Sequence, residues 1–214
     1  SIPEQYGGLD LTMEEECLIA IELGGASPAF RSVFGTNVGI GSQGLLMDGT
    51  PEQKARYLPD LASGKIASSF ALTEPGAGSD AASLKTSARR EGDEYVINGT
   101  KRFITNAPTA GLFTVYARTD PDSAGAAGVS AFLVEAGATG LSIGKPEKKM
   151  GQQGTQIADV IFDECRVPAS ALLGGREGQG FRTAMKVLDR GRLHIAALSV
   201  GVAERLIQMM SDYA

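Results

Sequence analysis

The residues best placed to do chemistry lie in Thr73-Glu74-Pro75-Gly76-Ala77-Gly78-Ser79-Asp80, just after the apolar or small residues Phe70, Ala71 and Leu72. Two glycines two apart let the backbone bend sharply and approach a ligand with no Cβ in the way. Successive backbone N–H groups in such a turn can form an anion-binding concavity. Thr73 and Ser79 would place hydroxyls at its two lips. The residues alone leave two readings open, a loop for a polar ligand such as a phosphate and an ordinary Pro-Gly hairpin turn.

A second cluster lies near the C-terminal end, where Phe181, Met185, Leu188, Ile195, Val202, Leu206 and Met209 recur at helical spacing. Arg192 falls on that stripe with Asp189 three residues before it. A charge on an apolar face needs a partner or a ligand. An i,i+3 ion pair with Asp189 is the first alternative, and a bound ligand is the second. Gly191 between them costs about 1 kcal/mol relative to alanine in a helix, which points to close packing or a ligand. His194, the only histidine, is read as structural.

Composition narrows the classes. The net charge of −5 with no basic run gives no support for nucleic-acid binding. No run approaches the roughly 18 consecutive apolar residues of a membrane span, so no membrane partner is expected. Cys17 and Cys165 stand far apart. They suggest neither a disulfide framework nor a metal site, and they fit a reducing compartment. The chain opens on Ser1-Ile2-Pro3 and stops in helical sequence at Ala214, and is expected to be the middle portion of a longer protein.

The elements that must position these residues follow from local signals. Thr12 and Glu15 make a capping box ahead of Met13, Cys17, Ala20 and Ile21, one face of a helix. Pro28 opens a helix expected to run toward Met47. Thr50, Pro51 and Gln53 start another. The period then changes to short alternating runs: Leu84 to Arg89, Glu94 to Ile97, Thr100 to Ile104, Leu112 to Arg118, Val129 to Glu135, Leu141 to Lys145 and Ala158 to Phe162. Asn98-Gly99 reads as a type I′ hairpin turn. About eight strands in all argue for an antiparallel barrel or sandwich, and helix returns near Gly178. The fold class is therefore α+β, in three parts: a helical domain over 1–64, a β domain over 65–175, and the first helix of a C-terminal bundle over 176–214.

These motifs together resemble the acyl-CoA dehydrogenases. The resemblance rests on the glycine turn and on six further stretches in the family's order. Two precede the turn, Gly49 to Lys54 and Tyr57 to Gly64. Asn98 to Asn106 and Phe162 to Pro168 follow it, and Gly178 to Phe181 and Leu188 to Leu193 complete the set. The resemblance implies FAD as cofactor, contacted by Phe70, Ala71, Leu72, Thr73, Gly78, Ser79, Phe103, Ile104 and Thr105. Thr105 would donate toward flavin N5 and Phe103 would pack near the ring. It also implies acyl-CoA contacts from Ser79, Asp189, Arg190, Gly191 and Arg192.

The activity so implied is α,β-dehydrogenation of an acyl-CoA to a trans-2-enoyl-CoA, with electrons leaving by electron-transferring flavoprotein. An acyl-CoA oxidase, a nitroalkane oxidase or a non-catalytic flavin- or CoA-binding module are the alternatives. A homodimer or homotetramer is expected, in the bacterial cytoplasm or the mitochondrial matrix. Branched- and long-chain members of the family hold a catalytic Glu where this chain has Gly191. Glu74 is read as holding the turn, so the base is expected beyond Ala214.

Overall fold

The structure, a computed structural model, describes residues 1–123 and 125–214. Helix α1 (Met13–Ala26) begins at the expected capping box, with the Glu15 N–H donating to the Thr12 hydroxyl and the Thr12 N–H to the Glu15 carboxylate. Helix α4 (Pro51–Ala62) begins the same way at Thr50 and Gln53.

The helix expected from Pro28 to Met47 is broken. Helix α2 (Pro28–Gly35) gives way to a π-helical turn over Thr36–Gly41 before α3 (Ser42–Asp48) resumes. Gly39 is non-helical at φ −99°, ψ −116°. At Gly41 a Cβ would sit 2.3 Å from the Ser68 hydroxyl. The backbone can lie that close to the sheet only without a side chain. Asn37, in the same turn, accepts from the Ser68 N–H at 2.8 Å and donates to the Leu61 carbonyl at 3.1 Å. Tertiary contact has overridden helical continuity here.

The β domain is a curled, seven-stranded sheet of β1 (Ser68–Ala71), β2 (Ser87–Glu91), β3 (Glu94–Thr105), β4 (Leu112–Arg118), β5 (Val129–Glu135), β6 (Leu141–Ile143) and β7 (Ile157–Pro168). The α+β class is as expected, but the sheet is mixed: β4 pairs in parallel with β1, and at Arg118 with β2. Asn98-Gly99 is not a hairpin turn. The turn falls at Gly92-Asp93, and β3 runs on through Gly99 as a bulge against β7. Gly99 takes φ +148°, and a Cβ there would meet the Thr86 hydroxyl at 2.5 Å. The Asn98 amide spends its hydrogen bonds across the bulge on Glu164, at 2.7 and 2.8 Å. One bulged strand thus replaces two expected ones.

The two faces of the sheet carry two apolar clusters. Along β4, Phe113 and Val115 point into one, with Tyr95, Ile97, Phe132 and Phe162. Leu112 and Tyr116 point into the other, with Leu45, Leu58, Leu61 and Ala184 from the helices. That period-two alternation is what clamps α3, α4 and α5 (Gly180–Tyr213) onto one face. Helices α1 and α5 cross closely at Gly24 and Gly201, where an added Cβ would fall 2.4 Å from the Leu198 carbonyl and 1.9 Å from the Ile21 carbonyl.

Helix α5 bears on the membrane expectation. It holds no long unbroken apolar run, yet its most apolar stretch reaches a mean hydropathy of 1.2, long and apolar enough by length and composition to cross a membrane. Its α1 contacts and the charged residues Glu204 and Arg205 suit a helix of a bundle.

Candidate functional site

The glycine turn is held from inside by Glu74. Its carboxylate accepts from the Lys85 and Thr86 N–H groups at 2.7 and 2.9 Å and from Lys101 Nζ at 2.8 Å. Lys101 also donates to the Leu72 carbonyl at 3.0 Å, and both side chains are buried. Burial opposes ionisation of Glu74, but the Lys101 charge and these hydrogen bonds keep its carboxyl below the usual range. Burial pushes Lys101 down to about 8 against the pull of Glu74. The turn-holding role read for Glu74 is what the structure has. Gly78, Ser79 and Asp80, just beyond the turn, are exposed.

Strand β3 delivers the second half of the site through another bulge, between Lys101 and Ile104. There the Arg102 N–H donates to the Thr73 carbonyl at 2.8 Å, tying β3 to the turn. Phe103 is turned out at φ +58°, a strained backbone for a bulky residue. It is 53% exposed, which rules out core packing, and the Arg102 guanidinium lies 4.9 Å from its ring centre. The Ser69 hydroxyl donates to the Thr105 carbonyl at 2.7 Å, and Asn106 donates to the Val33 carbonyl at 3.0 Å. Strand end, turn and α2 are thereby fixed to one another.

Between these segments and α5 lies a cleft of about 490 Å³. Phe70, Leu72, Thr73, Gly78, Ser79, Phe103, Ile104 and Thr105 line one side, and Phe181, Met185, Leu188 and Arg192 the other. Ala71 does not line it, because strand alternation turns it fully into the core. The hydroxyls of Thr73, Ser79 and Thr105 have no protein partner among the described residues and are free for a ligand. A second cavity, of about 610 Å³, adjoins the cleft along Thr36, Ile40, Thr105, Leu188 and Arg192.

On α5 Arg192 makes the expected ion pair and also faces open space. It lines cleft and cavity, and it is ion-paired with Asp189, both side chains being 69% exposed. Asp189 lines neither space. Gly191 lines the cavity, where a Cβ would lie 3.0 Å from Ile40 Cγ2, so close packing explains it. Arg190 reaches Glu16 at 3.1 Å, and His194 Nε2 meets the same carboxylate at 2.6 Å. Burial disfavours the charge on Glu16, yet hydrogen bonds to His194 and the Ser1 amino group, with the Arg190 charge, hold it at about 2. This is the structural role expected of His194.

The sequence reading missed Arg31, Thr36 and Ile40, which line the cavity from α2 and the π-helical turn. The glycines at 35, 39 and 41 were the available signal of a break there. Among the described residues no cluster of three His, Cys, Asp or Glu could hold a metal.

Comparison with known proteins agrees with this geometry. The acyl-CoA dehydrogenase N-terminal domain matches residues 1–65 and the acyl-CoA dehydrogenase middle domain residues 69–165. An acyl-CoA dehydrogenase of Bacillus subtilis is 42% identical over 100% of this chain and 56% of its own length. An acryloyl-CoA reductase (NADH) of Anaerotignum propionicum is 43% identical, over 99% of this chain and 54% of its own. The chain thus spans about half the length of these relatives. An acyl-CoA dehydrogenase from Bacillus anthracis, solved as a complex with FAD, superposes at a TM-score of 0.93 with 40% identity, covering 100% of this chain and 36% of that one. With its glycine turn, bulged β3 and cleft against α5, the chain belongs to the acyl-CoA dehydrogenase family.

Proposed function

We propose that these residues form the flavin and acyl-CoA half-site of an enzyme that dehydrogenates acyl-CoA thioesters to trans-2-enoyl-CoA. The observation that carries this reading is the cleft itself. It combines apolar faces from Phe70, Leu72, Phe103 and Ile104 with unspent hydroxyls on Thr73, Ser79 and Thr105, and it opens on a deeper cavity. A flat ring system with a polar edge fits those walls, and 490 Å³ lies within the usual range for small-molecule sites.

FAD, when bound, supplies the hydride acceptor. The chain's own residues do the rest. Thr73 and Thr105 offer hydrogen bonds to the cofactor's polar edge. Phe103 and Ile104 exclude water. Ser79, with Arg192 across the cleft from it, borders the space left for acyl-CoA; Arg190 and Gly191 border the adjoining cavity, and Asp189 acts there only through Arg192. Removing the α-proton needs a free carboxylate near it. Of the carboxylates lining cleft and cavity, Asp80 is hydrogen-bonded to Ser83 and Glu16 is held by His194 and Arg190. The base is therefore proposed to lie outside these 214 residues. Electron-transferring flavoprotein is the proposed acceptor, and a homo-oligomer the proposed assembly.

The deciding experiment is to mix the full-length holoprotein with short-, medium- and long-chain acyl-CoAs and follow flavin bleaching and enoyl-CoA formation. No bleaching with any of them overturns the reading. Because the Anaerotignum relative is named a reductase, enoyl-CoAs with reduced flavin form the reverse arm. Oxygen uptake separates an oxidase.

Two substitutions test single contacts. Thr105→Ala should cost about 1 kcal/mol of cofactor interaction, seen as an altered reduction rate or potential with the melting temperature nearly unchanged. A wild-type spectrum, potential and turnover would remove Thr105 from the site. Arg192→Ala should weaken acyl-CoA binding by roughly threefold to tenfold with FAD retained. Unchanged affinity with a lower melting temperature would leave Arg192 only its pair with Asp189.

A further inference from the structure

Along an ordinary strand Arg102 and Phe103 would point to opposite faces of the sheet. Here the bulge between Lys101 and Ile104 sets both outside the core, while Lys101 and Ile104 on either side are buried. A bulge re-aims the side chains it carries, and Phe103 takes φ +58° to follow it. The Arg102 guanidinium comes to lie over the Phe103 ring, 4.9 Å from its centre. Two neighbours in sequence are thus stacked on each other.

Phe103 belongs to neither apolar cluster of the sheet. It lines the cofactor cleft, and Arg102 does not. A half-exposed ring on a strained backbone has little apolar packing to fix its orientation, which leaves that task to the cation stacked on it. Arg102 is itself pinned. Its Nη2 lies 3.8 Å from Glu147 in the β6–β7 connection, and its Nη1 3.8 Å from Asp159 on β7. Both separations are too long for hydrogen bonds, so charge does the holding, at two ends of one planar fork. Asp159 in turn needs the cation. Its Oδ1 is buried without a hydrogen-bond partner, and Arg102 is its only ion-pair partner among the described residues. The Arg102 N–H bond to the Thr73 carbonyl couples this stack to the glycine turn.

We propose that Arg102 is a positioning residue, a cation that holds the Phe103 ring against the cleft and so limits the access of solvent molecules to the flavin. This rests on the flavin reading of the cleft and adds to it a residue outside the cleft. A cation over a partly exposed aromatic ring is strong enough to shift the ratio of open to closed ring about two- to fivefold.

The test is quenching of flavin fluorescence by acrylamide, a neutral probe, in the full-length holoprotein freed of unbound FAD. Arg102→Gln should raise the quenching constant about two- to fivefold, and Arg102→Lys, which keeps a cation over the ring, should stay near wild type. Phe103→Ala should raise it alone, and adding Arg102→Gln to Phe103→Ala should raise it no further. The constant is read per bound flavin, so a lower yield of holoprotein does not enter it. Wild-type quenching in Arg102→Gln overturns the proposal. So does a full further rise in the double variant, which would mean that Arg102 acts without Phe103. Should Arg102→Gln lose its flavin, Arg102→Lys decides, because raised quenching there overturns the proposal as well. If the full-length protein binds flavin and every variant quenches alike, only the role of Arg102 falls. If it binds no flavin, the reading of the cleft falls too.

Discussion

Lys101→Met in the full-length protein should lose about 3–5 kcal/mol of stability and, with it, most of its FAD. Lys101 is wholly buried and meets Glu74 at 2.8 Å beneath the glycine turn. Removing it leaves the Glu74 carboxylate in a low-dielectric interior with only the two backbone donors of Lys85 and Thr86. The Leu72 carbonyl loses its donor as well. The turn and β1 are therefore the segments expected to loosen, and they carry Leu72, Thr73, Gly78 and Ser79. Denaturant midpoints and the flavin content of the purified protein measure both effects. The double variant Lys101→Met with Glu74→Gln should recover part of the loss, because the uncompensated charge is gone. A single variant that unfolds at the wild-type midpoint would mean the pair does not hold the turn.

Residues 1–214 refolded with FAD should reduce that flavin with acyl-CoA at least about 100-fold more slowly than the full-length protein. A positioned general base contributes roughly 100- to 10,000-fold, and none is free among the carboxylates of the cleft. The position on α5 that holds a base in some relatives is Gly191, packed against Ile40. Circular dichroism and flavin binding by the shorter chain come first, so that slow reduction reports chemistry and not unfolding. Bleaching at the full-length rate would mean the base lies within these residues. Asp80, whose side chain borders the cleft, would then be the first to replace.

Much of the architecture was written in local signals. The Thr12–Glu15 and Thr50–Gln53 caps, the spans of β4 and β5 and the long final helix were all legible, because each depends on residues within one or two turns of one another. The glycine turn was legible for the same reason, as was the assignment of Glu74 to its interior. Eight of the nine flavin-side candidates line one cleft; Ala71 does not, being turned wholly into the core.

What the sequence could not supply was every choice made by residues distant along the chain. Asn98-Gly99 has the composition of a hairpin turn, yet the approach of Thr86 and the reach of Asn98 to Glu164 make it a bulge. The segment from Pro28 to Met47 has helical composition, yet Ser68 pressing on Gly41 opens it into a π-helical turn. The sequence around Arg31 carries no local signal of its burial. Only packing decided that it would be buried at a cavity wall with no carboxylate partner among the described residues. Helix caps and strand alternation are set by neighbours in sequence. The free energy of a buried charge, or of a backbone forced against another strand, is set by neighbours in space.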